Sequence, residues 1–385
     1  MKKKIALLGS TGSIGKSLLK IISRDKKKVD IILLTANKNY KQLIKQTKQF
    51  KVRNVIINDE LSYKKFKKLN TNKKLGIFNN FNSFNKIFKN KIDYTMSSIV
   101  GIEGLLPTVK IIKFTKKIAI ANKETIICAW GIIEKELKKY KTEFLPIDSE
   151  HFSIWYGIKS QSISNIDKIF LTASGGPLLE VPKNKYNKLN VNQITKHPNW
   201  QMGKKISVDS STMMNKVFEV IEAKKIFNLD FKNISIIIHP RSYIHAIIKF
   251  KDNMIKLIAH DTTMEIPIFN SLQYFNLKKI RPKKLNFKYL NKLNLQEVKV
   301  NKFPLVNIIK KLPKKNSLYE TILVAANDEF VNLFLKKKLS YTELVIKLTK
   351  FVSKREFTKY KLIEPKKITD ILKLNQYVCS KINSK

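Results

Sequence analysis

Short apolar runs of strand length alternate with helical stretches through the first 148 residues, and no other feature of this chain constrains its fold as strongly. Residues 5–8, 31–35, 52–57, 94–100, 118–121 and 144–147 are apolar runs of four to seven residues. Residues 14–22, 40–50, 105–114 and 125–140 carry helical periodicity between them. Strands that read as apolar throughout and are separated by crossover helices pair in parallel, so the pattern predicts a doubly wound parallel sheet. The segment 59–91, rich in Lys, Asn and Phe, shows little periodicity and leaves its own structure open.

After about residue 148 the pattern changes. Strands are expected at 168–172, 234–239 and 246–250, with one long helix at 212–227. The polar stretch 182–205 ends near HPNWQMG and has no regular pattern, and a loop of that length inside a compact domain is usually functional. A lid is the natural expectation. Residues 277–301 read as a basic connection and the remainder as helical. Ser317 with Glu320, and Ser340 with Glu343, have capping-box spacing ahead of apolar periodic runs and mark two helix starts in a small bundle.

With 385 residues and 43% hydrophobic content the chain can bury a core for two or three domains. Its formal charge of +47 first suggests nucleic acid or an anionic membrane surface. That charge is almost all lysine, spread along the chain, and the arginines are Arg24, Arg53, Arg241, Arg281 and Arg355 alone. So few bidentate forks argue against a reader of bases or phosphates, and neither nucleic acid nor membrane is the expected partner. Cys128 and Cys379 are far apart and have no CxxC neighbour, so neither a disulfide framework nor a thiolate zinc site is indicated, and a reducing compartment fits. The opening MKKKIALLGS has an apolar run too short for a signal sequence, and no run approaches membrane-spanning length. A cytoplasmic protein is expected.

Gly9, Gly12 and Gly15 in GSTGSIG follow a strand and open a helix, the context that a dinucleotide fingerprint requires. The amides of Thr11, Gly12, Ser13 and Ile14 would face a pyrophosphate at the positive end of that helix, although a tight turn has the same spacing. The second strand ends in TANKN, and no acid occurs between Asp30 and Asp59 to take an adenine ribose. Lys38 instead offers charge for a 2′-phosphate, with Asn37 and Asn39 as donors, which favours NADP over NAD; a solvated loop lysine is the plainer alternative.

Asp148 and Glu150 in LPIDSEH lie two apart at an expected strand end, where side chains two apart share a side. Asn215, Lys216 and Glu219 lie three and four apart on the expected helix and share one face. Glu219 would complete three carboxylates for a hard cation such as Mg2+ or Mn2+, while a Lys216–Glu219 surface pair fits the spacing equally. Ser210, Ser211 and Thr212 precede that helix, where hydroxyls cap amides or hold a phosphate, and Ser174 in TASGGP adds a hydroxyl beside glycines. His197 of the lid could close on the same phosphate, with Trp200 covering the apolar part of a substrate.

These stretches together resemble the 1-deoxy-D-xylulose 5-phosphate reductoisomerase family. GSTGSIG, ANKE at 121–124, LPIDSEH, LTASGGP, HPNWQMG, SVDSSTMMNK with its VIEA end, HPRSYIH at 239–245 and AAN at 325–327 occur in the family's order over nearly the whole chain. The resemblance implies a Rossmann-like NADPH-binding domain (1–147), an α+β catalytic domain with a lid (148–276), a linker (277–301) and a C-terminal helical domain (302–385). It also implies a homodimer that uses NADPH and a divalent metal to convert 1-deoxy-D-xylulose 5-phosphate into 2-C-methyl-D-erythritol 4-phosphate, in the non-mevalonate isoprenoid pathway. Carried over residue by residue, Asp148, Glu150 and Glu219 stand as metal ligands. Lys123, Ser149, Ser174, His197, Ser210, Asn215 and Lys216 stand as substrate contacts, with Glu150 and Glu219. Thr11, Gly12, Ser13, Ile14, Asn37, Lys38, Asn39, Asn122, Glu124 and Gly203 line the cofactor. The chain departs from the family pattern at Leu178 and Leu179, usually Phe and Arg, and at Val217 and Phe218, usually Gly and Leu. Thr263 and Glu265 stand where Asp and Arg are usual.

Overall fold

The computed structural model describes residues 1–159, 161–200, 202–278, 280, 287–291 and 293–384, with the backbone alone at Asn187 and Tyr289. In chain order the strands are β1 (Lys3–Leu8), β2 (Val29–Ala36), β3 (Asn54–Ile57), β4 (Gly76–Phe78), β5 (Ile92–Ser97), β6 (Thr115–Ile120), β7 (Glu143–Pro146), β8 (Ile166–Ala173), β9 (Ile234–Ile238), β10 (Ile244–Phe250), β11 (Ile255–Ala259) and β12 (Gln296–Glu297). The α-helices are α1 (Ser13–Ser23), α2 (Tyr40–Phe50), α3 (Glu60–Leu69), α4 (Phe84–Ile87), α5 (Leu105–Ile111), α6 (Lys123–Lys139), α7 (Ser149–Gly157), α8 (Val191–Thr195), α9 (Lys204–Ser211), α10 (Met214–Phe227), α11 (Glu265–Ser271), α12 (Phe287–Leu290), α13 (Tyr319–Leu335), α14 (Tyr341–Val352) and α15 (Ile368–Asn383). Two compact units result. One holds Met1–Ile126, Gly131–Asp148 and Met264–Pro282, the other Ile127–Trp130, Ser149–Thr263 and Lys283–Lys385.

The first unit is built on a seven-stranded sheet in the order β4-β3-β2-β1-β5-β6-β7, with every pair parallel. This is the doubly wound sheet expected from the alternating pattern. The chain winds outward from β1 in both directions, which opens a crevice at the carboxyl ends of β1 and β5. Leu7 in β1 lies opposite Leu34 of β2 and Met96 of β5, and all three are buried. Helix α1 turns Leu18, Leu19, Ile21 and Ile22 to the core and its lysines to solvent. The segment 59–91 supplies α3, β4 and α4.

Helix α11 returns to this unit. Lys20 of α1 and Arg24, its C-cap, both pair with Glu265, Arg24 at 3.2 Å, and the buried Tyr94 hydroxyl bonds Ser271 at 2.8 Å. The acid at 265, where the family usually has a base, is therefore matched by two local cations.

The second unit has a mixed five-stranded sheet in the order β11-β10-β8-β9-β12, in which only β8 and β9 pair in parallel. Helices α7 and α10 cover one face: Ile154, Ile158, Val220, Ala223 and Phe227 pack on Ile169, Leu171, Ala246 and Ile248. The C-terminal helices α13, α14 and α15 pack around α13, whose residues are mostly buried.

Four expectations change in this unit. The helix expected at 212–227 is α10, which starts two residues later, and an unexpected helix, α9, precedes it across Met213, which adopts a left-handed conformation (φ 63°). A buried methionine in that region is strained and persists only where packing holds it, here against Ala173, Ile238 and Phe303. Strands β11 and β12 were not anticipated. The polar stretch 182–205 is partly ordered, with a full capping box between Asn190 and Gln193 at the start of α8; its Gln201 lies outside the described residues. Part of the connection expected at 277–301 also lies outside them, and the rest contains α12 and β12.

The capping boxes differ from each other. Ser340 and Glu343 form the full reciprocal arrangement, whereas Glu320 accepts both the amide and the hydroxyl of Ser317, and α13 starts one residue later than a Ser317 cap would place it. Glu320 has a second partner. Where α6 is interrupted at Ala129 (φ −130°), the buried Lys225 ammonium donates to the Ile127 carbonyl at 2.8 Å and pairs with Glu320 at 3.0 Å. Replacing Lys225 by Met removes the only cation of that pair and leaves a carbonyl and a carboxylate underserved. Chemical denaturation of Lys225→Met at neutral pH should show a loss of about 3 kcal/mol relative to the parent chain.

Candidate active site

At the carboxyl end of β1 the glycine loop leads directly into α1. A Cβ on Gly15 would come within 2.5 Å of the Gly9 carbonyl and 2.7 Å of Ser10 Cα, so only glycine lets the helix sit this close to the strand end. Gly12 is the N-cap of α1 and supplies no side chain to its first amides. Gly12 and Ser13 are exposed, Thr11 and Ile14 half-buried. An uncapped N-terminus over an open strand end suits the phosphates of a nucleotide. Asn37, Lys38 and Asn39 lie exposed after β2, and Asn39 also caps α2 by accepting the Gln42 amide at 3.1 Å. Asn122 is committed to structure: it caps α6 through Thr125 at 2.7 Å, and its amide group donates to the Ile99 and Gly101 carbonyls. Glu124 is buried in the first turn of the same helix, and Gly203, the N-cap of α9, is exposed with open space around its Cα.

Asp148 and Glu150 do not sit at a strand end. Strand β7 stops at Pro146, and Ser149 opens α7, so Glu150 belongs to a first helical turn. Two peptide bonds still keep the two Cα atoms within roughly 7 Å. In its own unit Asp148 pairs with Lys123, the first residue of α6.

Within the second unit Glu150 and Glu219 are both buried and face each other across one ammonium. Lys216 Nζ lies 2.5 Å from Glu150 Oε1 and 2.5 Å from Glu219 Oε2. Ser149 donates to Glu150 Oε2 at 2.6 Å, and Asn215 Nδ2 to Glu219 Oε1 at 2.5 Å. Burial opposes a charge on Lys216, but the two carboxylates outweigh it and hold the ammonium above the ordinary lysine pKa. Carboxylate oxygens gathered around a single cation are the donor set that a hard divalent ion takes. The pair is therefore more than the helix-surface ion pair that spacing alone allowed.

The hydroxyl groups come together through close backbone approach. At Gly176 (φ 66°) a Cβ would lie 2.9 Å from the Ser210 carbonyl, so this glycine lets the TASGGP loop press against the end of α9. Ser210 and Ser211 are the last residues of α9 and not caps of α10, which differs from the expectation, because the left-handed Met213 ends one helix and starts the next. Ser174 receives the Gly176 amide at 3.0 Å and contacts His197 Nε2 at 2.9 Å. The amides of Asn199 and Trp200 donate to His197 Nδ1 at 3.1 and 3.0 Å, so the neutral ring carries its proton on Nε2 and gives it to Ser174. Burial, with the Lys216 charge second, pushes the His197 pKa down to about 4.

Spacing missed the polar supports behind these groups. His151 Nε2 meets the Glu219 carbonyl at 2.9 Å and joins α7 to α10. The buried Asp209 of α9 accepts from Asn327 at 2.8 Å and pairs with Lys205 at 2.9 Å, which gives the AAN stretch a structural role. Tyr341 donates to the Ser211 carbonyl at 2.9 Å. Trp200 rests edge-on against His245, which is stacked on His260 at 3.7 Å. A buried polar residue inside an apolar helical stretch, such as Asp209 or Asn327, was the available signal.

The first unit thus has a strand end that can cradle a nucleotide, and the second a carboxylate set that can hold a divalent ion. The chain is an oxidoreductase of the nucleotide-dependent α/β class.

Comparison with known proteins specifies which one. The sequence profile of 1-deoxy-D-xylulose 5-phosphate reductoisomerase matches residues 5–130, that of its C-terminal domain residues 144–227, and a further DXP reductoisomerase C-terminal domain residues 261–380. The 1-deoxy-D-xylulose 5-phosphate reductoisomerase of Pelagibacter ubique is 54% identical over 384 residues, 99% of both chains. That of Clostridium tetani is 35% identical over 99% of this chain and 100% of its own. A solved DOX-P reductoisomerase in complex with NADPH, fosmidomycin and magnesium superposes with a TM-score of 0.91 at 27% identity, covering 99% of this chain and 98% of the other. The Zymomonas mobilis enzyme in complex with NADPH gives 0.87 at 27% identity, covering 98% and 97%. The chain belongs to the 1-deoxy-D-xylulose 5-phosphate reductoisomerase family.

His197 generates a pH prediction. Its folded pKa lies below the ordinary histidine value of about 6.5, so on acidification the unfolded chain takes the proton first. The stability tied to neutral His197 is fully present above that value and is lost as pH falls toward about 4. An NMR titration should find the His197 ring unprotonated at pH 5.5, and His197→Gln should flatten the loss of stability between pH 6.5 and 4.

Proposed function

We propose that this chain converts 1-deoxy-D-xylulose 5-phosphate into 2-C-methyl-D-erythritol 4-phosphate with NADPH and a divalent metal, the isoprenoid-forming reaction of its family. The observation that carries the reading is the buried Glu150–Lys216–Glu219 cluster, in which a carboxylate of α7 and one of α10 meet across a single ammonium. When bound, the divalent ion supplies charge that polarises the substrate ketone, and NADPH supplies the hydride.

The residues divide this work. Asp148, Glu150 and Glu219 hold the ion, and Mg2+ and Mn2+ both suit three carboxylates. Ser174, Ser210, Asn215 and Lys216 bind the substrate phosphate, and that remote binding energy orients the reacting end. His197, neutral and donating from Nε2, adds a hydrogen bond that needs no proton uptake. Trp200 covers the apolar part of the substrate and excludes water. Ser149 positions Glu150 and contacts substrate, while Lys123, paired with Asp148, can pass a proton to a substrate oxygen. A retro-aldol and a concerted migration use these same contacts.

The nucleotide lies along the amides of Thr11, Gly12, Ser13 and Ile14. Asn37, Lys38 and Asn39 take the 2′-phosphate end, and Asn122, Glu124 and Gly203 complete the cofactor's surroundings. Because both amide hydrogens of Asn122 already serve the chain, its part is to fix the shape of the loop after β5.

The reading includes a cytoplasmic homodimer. No helix among the described residues is long and apolar enough to cross a membrane. Edge strand β11 exposes Ile255 and Leu257, with Met254 before it, an apolar surface that a second copy would cover. The division into a nucleotide domain (1–147), a catalytic domain (148–276), a linker (277–301) and a helical domain (302–385) is part of the same reading.

The direct test is NADPH oxidation with 1-deoxy-D-xylulose 5-phosphate, with and without Mg2+ or Mn2+, followed by identification of the product. Metal-dependent oxidation to the branched phosphate is expected; oxidation without metal would remove the carboxylates' role. In Glu219→Gln, turnover should fall by orders of magnitude and the metal requirement should rise. Lys38→Ala should narrow the preference for NADPH over NADH by about tenfold, the effect of losing one strong charged contact. An unaltered ratio would assign the 2′-phosphate to another group.

A further inference from the structure

The Glu150–Glu219 pair is occupied by this chain's own groups. Lys216 takes one oxygen of each carboxylate, and Ser149 and Asn215 take the other two. A divalent cation placed on these oxygens would meet an ammonium 2.5 Å from both glutamates, and like charges so close in a buried site repel strongly. Lys216 and the ion therefore compete for the same oxygens.

Resting on the function proposed above, we propose that Lys216 is the resident counter-ion of the carboxylate pair and that a phosphate ester releases it. Drawing the ammonium onto the phosphate clears the glutamates for the metal, so phosphate and metal bind with positive coupling. Three observations support this. A lysine head is a compact charge on a four-carbon stem that can swing between neighbouring partners without losing its charge. The Ser174–His197 pair lies within reach of its field, since Lys216 contributes to the low pKa of His197. Asn215 Oδ1 is buried and has no hydrogen-bond partner while Asn215 Nδ2 serves Glu219, so the self-occupied arrangement leaves an acceptor that a substrate hydroxyl can satisfy.

Linkage makes the effect reciprocal: the metal must tighten phosphate binding by the same factor. It also gives the enzyme a reason to hold little metal until substrate arrives. The ion is then seated in the geometry that the bound substrate sets.

The test uses the full chain, Mn2+ counted by electron paramagnetic resonance, and sn-glycerol 3-phosphate, a phosphate ester with no ketone to reduce. Solution binding of Mn2+ by the ester is measured separately and subtracted. In the parent protein, saturating ester should tighten Mn2+ binding about tenfold, and Mn2+ should tighten ester binding equally. Lys216→Met should bind Mn2+ more tightly than the parent without ester, and ester should no longer alter it. Equal Mn2+ affinity with and without ester in the parent overturns the proposal, and this arm needs no variant to fold. Weaker Mn2+ binding by a folded Lys216→Met would also overturn it. If Mn2+ binds and Glu219→Gln abolishes it but ester changes nothing, the coupling alone fails and the metal assignment stands. If Glu219→Gln leaves Mn2+ binding intact, the carboxylate assignment itself fails.

Discussion

Two carboxylates buried side by side can both keep their charge only if positive charge lies between them, and here that charge is Lys216. Removing either member of such a group strands the others in a poor solvent, which costs several kcal/mol by the usual measure of broken buried pairs, about 3–5. The requirement fixes more than three side chains. Glu150 must come from the first turn of α7, and Lys216 and Glu219 from one face of α10. Helix α10 can present that face only because the chain turns through the left-handed Met213 immediately before it. A continuous helix from 204 would have carried Asn215, Lys216 and Glu219 along another axis.

Strain and buried charge at one place need support from others. The His151 ring ties α7 to the Glu219 carbonyl, so both glutamate-bearing helices move together. Asp209, Lys205 and Asn327 hold α9 to α13, and Tyr341 holds the carbonyl of Ser211 just ahead of the turn. The Lys225–Glu320 pair links the end of α10 to the start of α13 in the same way. These contacts give the C-terminal helices a mechanical part in the site although they contribute none of its proposed ligands. Deleting a helix of this bundle acts on the carboxylates through α9 and α10.

The parallel sheet was legible because its signal is redundant: six apolar runs and their crossover helices all require one topology. Gly15 could be read from the local glycine fingerprint, but Gly176 owes its place to a close approach to the backbone of Ser210, distant in sequence, which no local pattern displays. The Met213 break was not legible, since left-handed backbone is signalled by glycine or asparagine and here rests on packing against Phe303 and Ile238. Pairing Asp148 with Glu150 by strand alternation used the wrong period, because β7 ends at Pro146 and the next residues start a helix. Edge strand β11 escaped notice because its five residues resemble any short apolar run until a neighbour pairs with them. The cluster of Glu150, Lys216 and Glu219 was readable as a candidate, and its burial and mutual contacts were not.

A chain with a net charge of +47 would seem a poor place for a site that depends on one ammonium. Charge on the surface, however, is screened over about 8 Å at physiological salt, whereas buried groups feel mainly their immediate neighbours. Lys117 and Lys159 illustrate the first case, lying over the rings of Tyr274 and Trp155 at 3.5 and 4.2 Å, where the aromatic face takes part of their charge. Glu265 illustrates how a reversal is absorbed: an acid in place of the family's usual base finds Lys20 on the adjoining helix and Arg24 at its end. Lysine-rich composition is thus tolerated wherever a ring, an acid or solvent is near. Inside, the balance is set residue by residue, and Lys216 keeps its charge because Glu150 and Glu219 lie against it, whatever the total for the chain.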